Sequence, residues 1–309
     1  MKAAQRANLM RNAPLPPRDG VSPSRVHLPK GPWATVLDFL LARFPHMPAD
    51  VLRDRLRRGE IAAGDGTAIS LDTPYVPEQW LWYYRDVPNE APVPFDLPIL
   101  YRDANLVVVD KPHFLASIPG GRYLRETALT RLRAALDLPH LSPLHRLDRD
   151  TAGVLLFCVR PENRGSYQAL FQSRQVVKEY EAIAPVRAKL ALPTVYRSHL
   201  RPRDGYFTTE EAQGAANSET LIRLMDVGAS GLGRYRLLPY TGRKHQLRVH
   251  MCAMGIPICN DMFYPHLQPF PAADDFSKPL QLLATAIEFV DPYSGRLRRY
   301  ESQRRLTLA

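Results

Sequence analysis

Cysteine is nearly missing from this chain. Three occur among 309 residues, Cys158, Cys252 and Cys259, and no two have CxxC spacing. A disulfide scaffold is excluded, and thiols set in apolar stretches fit buried, reduced side chains in a cytoplasmic protein. No run approaches the roughly 18 apolar residues of a membrane helix, so no membrane span is expected. The basic N-terminus, MKAAQRANLMRNAPLPPRDG, has no apolar core of the kind a secretory signal carries. Nine histidines are scattered without HExxH or a Cys/His cluster, and no metal site is expected. No internal repeat is visible.

What is present is ordinary globular material with a strong charge bias. Hydrophobic residues make up 45% and charged residues 23%, enough for one large domain, or a medium domain and a small one. The formal net charge of +10 favours a polyanionic partner, either nucleic acid or an anionic membrane surface.

Composition and periodicity divide the chain into four parts. Residues 1–31, rich in Pro and Arg, read as a flexible basic tail. Residues 32–86 hold a helix in TVLDFLLARF, a second in PADVLRDRLRRGE, and a hairpin around Gly64-Asp65-Gly66. Leu52 and Leu56 stack one turn apart, which leaves Arg53, Arg57 and Arg58 as a basic surface. Residues 87–97 form a Pro-rich linker. Residues 98–309 alternate apolar strands with a few helices: ILY and LVVVD around a turn, a helix over 125–136, the strand VLLFCV, a helix in NRGSYQALFQSRQV, then KEYEAIAP, ETLIRLMDV and GRYRLLPYT. A helix over 242–255 and the strand LLATAIEFV follow. Strands in hairpin-like succession predict an α+β class, a mixed, largely antiparallel sheet with flanking helices.

Three stretches carry chemistry. In HRLDRDTAGVLLF (145–157), His145, Arg146, Asp148, Arg149 and Asp150 crowd ahead of a wholly apolar strand. Alone this fits a solvated turn, although loops at the ends of central strands are where catalytic groups gather. In GRKHQLRVHMCAMG (242–255), Leu247, Met251 and Met254 share one helical face while His245, Arg248 and Cys252 share another. That pattern suits an amphipathic helix with a charged outer face, or an Arg248 fork aimed at a carboxylate or phosphate. Arg243 and Lys244 oppose the dipole at the helix start, which hints at an anionic contact. In VVKEYEAIAP, alternation places Lys178, Tyr180 and Ala182 on one strand face.

Taken in order, these stretches resemble the RluA-type pseudouridine synthases. That family carries HRLDxxTSG, here His145 to Gly153; a K-x-Y strand, here Lys178 and Tyr180; and GRTHQIRVH, here Gly242 to His250. VVVDKP and LLATAIEF match its flanking patterns, and the likeness spans about residues 98–292. It implies isomerisation of uridine in structured RNA, with 23S ribosomal RNA the expected target and transfer RNA the alternative, and with no cofactor and no metal. The implied catalytic residues are Asp148 as nucleophile, Tyr180 stacking near the uracil as candidate base, and Arg248 paired with Asp148. Arg146 would fill the space left by the flipped uridine, with Asp150 in support, and His145, Arg149, Arg243, Lys244 and His245 as further RNA contacts. Two positions depart from the pattern: Ala152 replaces serine, and Leu283 stands where histidine is frequent. Residues 51–66 resemble an S-four-type RNA-binding domain, a small helix-helix-hairpin unit in which Arg53, Arg57 and Arg58 would meet phosphates. A monomer is the expectation the family sets. A non-catalytic RNA-binding protein on the same fold would not need Asp148, Tyr180 and Arg248 together, and a glycoside hydrolase would need paired carboxylates.

Overall fold

A computed structural model describes residues 13–85, 87, 90–269 and 275–308. The chain divides into two compact units, Met1–Glu90 and Ala91–Ala309.

In the first unit, α1 (Val36–Arg43) and α2 (Ala49–Arg57) pack beside a three-stranded sheet of order β1-β3-β2, with β1 (Ser24–His27), β2 (Ile61–Ala63) and β3 (Trp80–Tyr83). Thr35 and Asp38 cap α1 reciprocally: the Thr35 hydroxyl accepts from Asp38 N at 3.1 Å, and Asp38 accepts from Thr35 N at 2.9 Å. Leu28, Val36, Phe39, Leu40, Leu52, Leu56, Ile61 and Leu81 form the core. Arg53, Arg57 and Arg58 lie exposed on α2 and just beyond it. Two expectations change. Residues 24–27 are not part of a flexible tail, because Ser24–His27 pairs antiparallel with Trp80–Tyr83 and buries Leu28 next to it. The early part of that tail, residues 1–12, lies outside the described residues. The Gly-Asp-Gly turn closes only a single bridge, Ala62 to Ala68, and the main partner of β2 is the later strand β3.

The second unit is built on one eleven-stranded sheet. Its order is β10 (Thr209–Ala212), β9 (Thr194–Pro202), β11 (Ser218–Val227), β12 (Leu232–Pro239), β8 (Val177–Pro185), β13 (Leu282–Val290), β7 (Ala152–Cys158), β5 (Leu106–Lys111) and β4 (Ile99–Arg102). Two strands lie off this path: β14 (Leu297–Glu301) pairs with β13, and β6 (Ser142–Pro143) pairs with β7. Every pairing is antiparallel except β13 with β7. The mixed, largely antiparallel sheet expected from the sequence is thus what forms.

β5 and β7 are buried along their whole length, which explains their unbroken apolar sequences. Val107, Val109, Leu155 and Phe157 face α3 (Ala128–Leu136). Val108, Val154, Leu156 and Cys158 face the other way, toward Tyr167 of α4 (Arg164–Gln172). Farther along the sheet, Ala182, Ala184, Ile222, Tyr235 and Leu237 cover α5 (Gln246–Ala253) through Leu247 and Met251. α5 is shorter than the 242–255 expected, because residues 241–245 form a turn held by Gln246. Its Oε1 accepts from Thr241 Oγ1 at 2.7 Å and from Arg243 N at 3.0 Å. Among the described residues no helix is long and apolar enough to cross a membrane.

Candidate active site

The loop ahead of β7 and the turn ahead of α5 meet at one cavity of about 700 Å³. His145, Arg146, Asp148, Lys178, Tyr180, Arg243, Lys244, His245 and Arg248 all line it. Residues about 30 to 100 positions apart in sequence are thereby brought together.

The loop 144–151 is fastened at nearly every residue. Leu144 N donates to Leu156 O at 3.0 Å, and His145 Nε2 accepts from Leu156 N at 3.2 Å. The His145 ring stacks on Phe171, and burial pulls its pKa down to about 3, with Lys178 adding to the effect. His145 therefore stands neutral and serves as an anchor of the loop. Ser117 Oγ donates to Leu147 O at 2.6 Å and accepts from Leu147 N at 3.1 Å. The fully buried Lys111 ammonium reaches the carbonyls of Pro112, Leu115 and Arg149 at 2.8–3.1 Å. His113 Nδ1 lies 2.7 Å from Asp150 O. The segment 110–117 thus fastens the residues on either side of Asp148, a duty the sequence pattern DKPHFLAS did not reveal.

Gly153, the first glycine after the loop, is required by geometry. It sits at φ +112, and a Cβ there would lie 2.1 Å from Ala284 O on the parallel neighbour β13. The two departures from the family pattern meet at the same place. Ala152 and Leu283 are register partners across the parallel β7–β13 pair, both buried in one apolar cluster with Ile183 and Leu306.

Arg248 is 1% exposed, so the amphipathic-helix reading of its charged face is overturned: α5 is buried on nearly every side. Its guanidinium makes a bidentate pair with Asp261, Nε to Oδ2 at 2.7 Å and Nη2 to Oδ1 at 2.5 Å. The remaining nitrogen, Nη1, is buried without a hydrogen-bond partner and points to Asp148 Oδ2 at 3.7 Å. The expected Arg248–Asp148 pair is present, but the tighter partner is Asp261, which sequence reasoning missed. A buried arginine needs a buried counter-charge, and the lone Asp in NDMFY was the available signal. Phe263 covers the guanidinium at 4.4 Å.

Tyr180 lies opposite Leu237 on β12 and Ala284 on β13. Burial, with the Asp148 charge second, pushes its phenol well above the usual tyrosine range. Lys178 donates to Thr241 O at 3.1 Å, and burial lowers its pKa to about 8. Arg146, Arg243 and Lys244 are exposed around the cavity, joined by Arg174, which lies over the Tyr240 ring at 4.9 Å. Arg149 turns away from the cavity, pairing with Asp150 at 3.1 Å and lying over Tyr123 at 4.9 Å.

A sequence profile of the family described as RNA pseudouridylate synthase matches residues 105–253. The dual-specificity RNA pseudouridine synthase RluA of Haemophilus influenzae is 31% identical over 213 residues, 67% of this chain and 93% of that protein. RluA of Salmonella typhi is 33% identical over 207 residues, 64% of this chain and 89% of its own. The solved structure of human RNA pseudouridylate synthase domain containing 1 is alike in fold, with a TM-score of 0.54 at 24% identity over 68% of this chain and 84% of that one. Fold, site and relatives together define an RNA-modifying isomerase that converts uridine to pseudouridine. The chain belongs to the RluA-type pseudouridine synthases.

Proposed function

We propose that Asp148 is the nucleophile of this isomerase and that the substrate is a uridine in 23S ribosomal RNA. The observation that carries the first part is the unpartnered Arg248 Nη1, buried and aimed at the Asp148 carboxylate inside the cavity. A rigid cation set beside a carboxylate, with Asp261 holding it in place, orients the carboxylate without neutralising it by close contact. Asp148 attacks the flipped nucleoside and the glycosidic bond breaks; the uracil turns and rejoins through carbon five, the bond to Asp148 breaks, and the carbon-five proton is lost.

Tyr180 begins the cycle as a neutral phenol, so its first work is to pack against the uracil. Taking the carbon-five proton requires its own hydroxyl proton to pass in the same step to an acceptor, and the released Asp148 carboxylate, whose charge acts on the phenol, is the group that can receive it. Arg146 is exposed at the loop tip and suits the gap left by the flipped base. Arg243, Lys244 and Arg174 around the cavity would meet phosphates.

The ribosomal target is supported by the first unit, whose basic α2 follows the S-four-type pattern and carries exposed Arg53, Arg57 and Arg58. The RluA relatives are named dual-specificity enzymes, which keeps transfer RNA as the second reading. The enzyme is proposed to act as a cytoplasmic monomer. Two measurements test this. Asp148→Asn should abolish tritium release from RNA labelled at uracil carbon five while RNA binding persists, and full activity would refute the nucleophile. Mapping pseudouridines in cells with and without the gene should reveal a missing site in 23S ribosomal RNA; a loss confined to transfer RNA would overturn the target.

A further inference from the structure

His245 opens α5 in the left-handed region, at φ +55, and is 7% exposed. Its Nδ1 lies 2.9 Å from Tyr264 Oη, and its Nε2 lies 3.9 Å from Asp148 Oδ2. The hydrogen bonds around Tyr264 decide which nitrogen carries the ring proton. Tyr264 Oη donates to Thr209 O at 2.8 Å and accepts from Thr209 N at 2.9 Å. Thr209 is buried on the edge strand β10, where Arg203 N bonds the preceding carbonyl, Thr208 O; the Thr209 N–H and carbonyl therefore face away from β9, and both meet that hydroxyl. A phenol has one hydrogen, and it is committed to Thr209. Toward His245, Tyr264 can only accept, so Nδ1 must donate.

The ring holds just that one proton. Burial lowers its pKa to about 4, against the pull of Asp148 and with Arg248 and Lys244 helping. Nε2 is therefore a bare acceptor that faces a second acceptor, the Asp148 carboxylate, across the wall of the cavity. Two lone pairs at that separation attract a donor from whatever enters the cavity.

We propose that His245 Nε2 accepts a hydrogen bond from the target uridine itself, beside the Asp148 carboxylate. This rests on Asp148 as the nucleophile. Uridine offers two such donors, the ribose 2′-hydroxyl beside carbon one-prime and the imide N–H of the uracil. The first would make His245 a reader of RNA over DNA; the second would make it a reader of uracil over cytosine, whose ring nitrogen there is an acceptor.

The tautomer is tested without substrate. Nitrogen-15 NMR of the imidazoles in the full-length protein should show His245 with a protonated Nδ1 and a bare Nε2. A proton on Nε2 overturns the proposal. The contact is tested with His245→Asn, because Asn tolerates the left-handed backbone and can still donate to Tyr264 but has nothing at the Nε2 position. The substrate is a short RNA stem-loop carrying the mapped uridine. On it, His245→Asn should lower kcat/KM about tenfold. With 2′-deoxyuridine or 3-methyluridine as the target, the gap between wild type and variant should close on whichever lacks the donor that His245 holds. A gap unchanged on both sinks the inference. Failure of the wild type on the unmodified stem-loop would instead strike the proposed function.

Discussion

At the scale of single residues, the site is a chain of charge, Asp148 to Arg248 to Asp261, and only its first two members were legible in the sequence. HRLD and GRKHQLRVH announce themselves by clustered charge, whereas Asp261 is a lone acid in a loop and shows its role only once Arg248 proves buried. The consequence is that Asp261 should matter nearly as much as Asp148. Asp261→Asn keeps one amide oxygen to accept from Arg248 but removes the bidentate counter-charge, which leaves Asp148 at 3.7 Å as the nearest anion and lets the fork swing. Breaking one side of a buried pair costs about 3–5 kcal/mol. We expect Asp261→Asn to lower the denaturation midpoint and to cut kcat by at least about tenfold with little change in KM, since Arg248 orients Asp148 rather than holding substrate. Unaltered single-turnover kinetics in that variant would show that Asp261 does no positioning.

At the scale of elements, the sequence disclosed those with a single periodicity and hid those that depend on distant neighbours. β5, β7, α3 and α4 follow from apolar runs and helical spacing. β9, β10 and β14 were not read, because exposed strands rich in Arg and Glu gain their order from cross-strand ion pairs such as Arg197–Glu219 and Arg201–Glu210. The parallel β7–β13 contact was equally invisible, since it joins residues more than 120 apart. It explains why the two departures from the family pattern occur together. Ala152 and Leu283 are register partners in an apolar cluster with Ile183 and Leu306, so a hydroxyl or an imidazole added alone is set into apolar surroundings. Ala152→Ser or Leu283→His should each cost about 1–3 kcal/mol. The double variant can pair the two new groups, so its cost should fall at least about 1 kcal/mol short of the sum. Chemical denaturation of the four proteins measures this, and strict additivity would show that the two positions do not communicate.

At the scale of the whole molecule, the catalytic unit stores a set of neutral histidines. Burial holds His113, His245 and His250 at about 4 and His145 at about 3, each lowered from 6.5. His250 shows how they are kept: Ser218 and Thr220 hydroxyls meet its two nitrogens at 2.9 and 3.0 Å. Unfolding releases these rings into water, where each takes up a proton below about pH 6.5. Between about pH 6.5 and 4 the unfolded chain therefore binds more protons than the folded one, and stability falls as the pH falls. Four such groups give a slope approaching about 5 kcal/mol per pH unit. Summed down to pH 4 this is about 12 kcal/mol, most or all of a typical domain stability of about 5–15 kcal/mol. All four lie in the second unit, whereas the three tryptophans, Trp33, Trp80 and Trp82, lie in the first. Circular dichroism of the large sheet should therefore collapse on acidification through this window, while tryptophan emission reports the small unit by itself. A His250→Gln variant, which keeps an acceptor and a donor but cannot take up a proton, should flatten the dependence by about one proton. A circular dichroism signal that holds steady down to pH 4 would mean that these histidines are not buried neutral in solution.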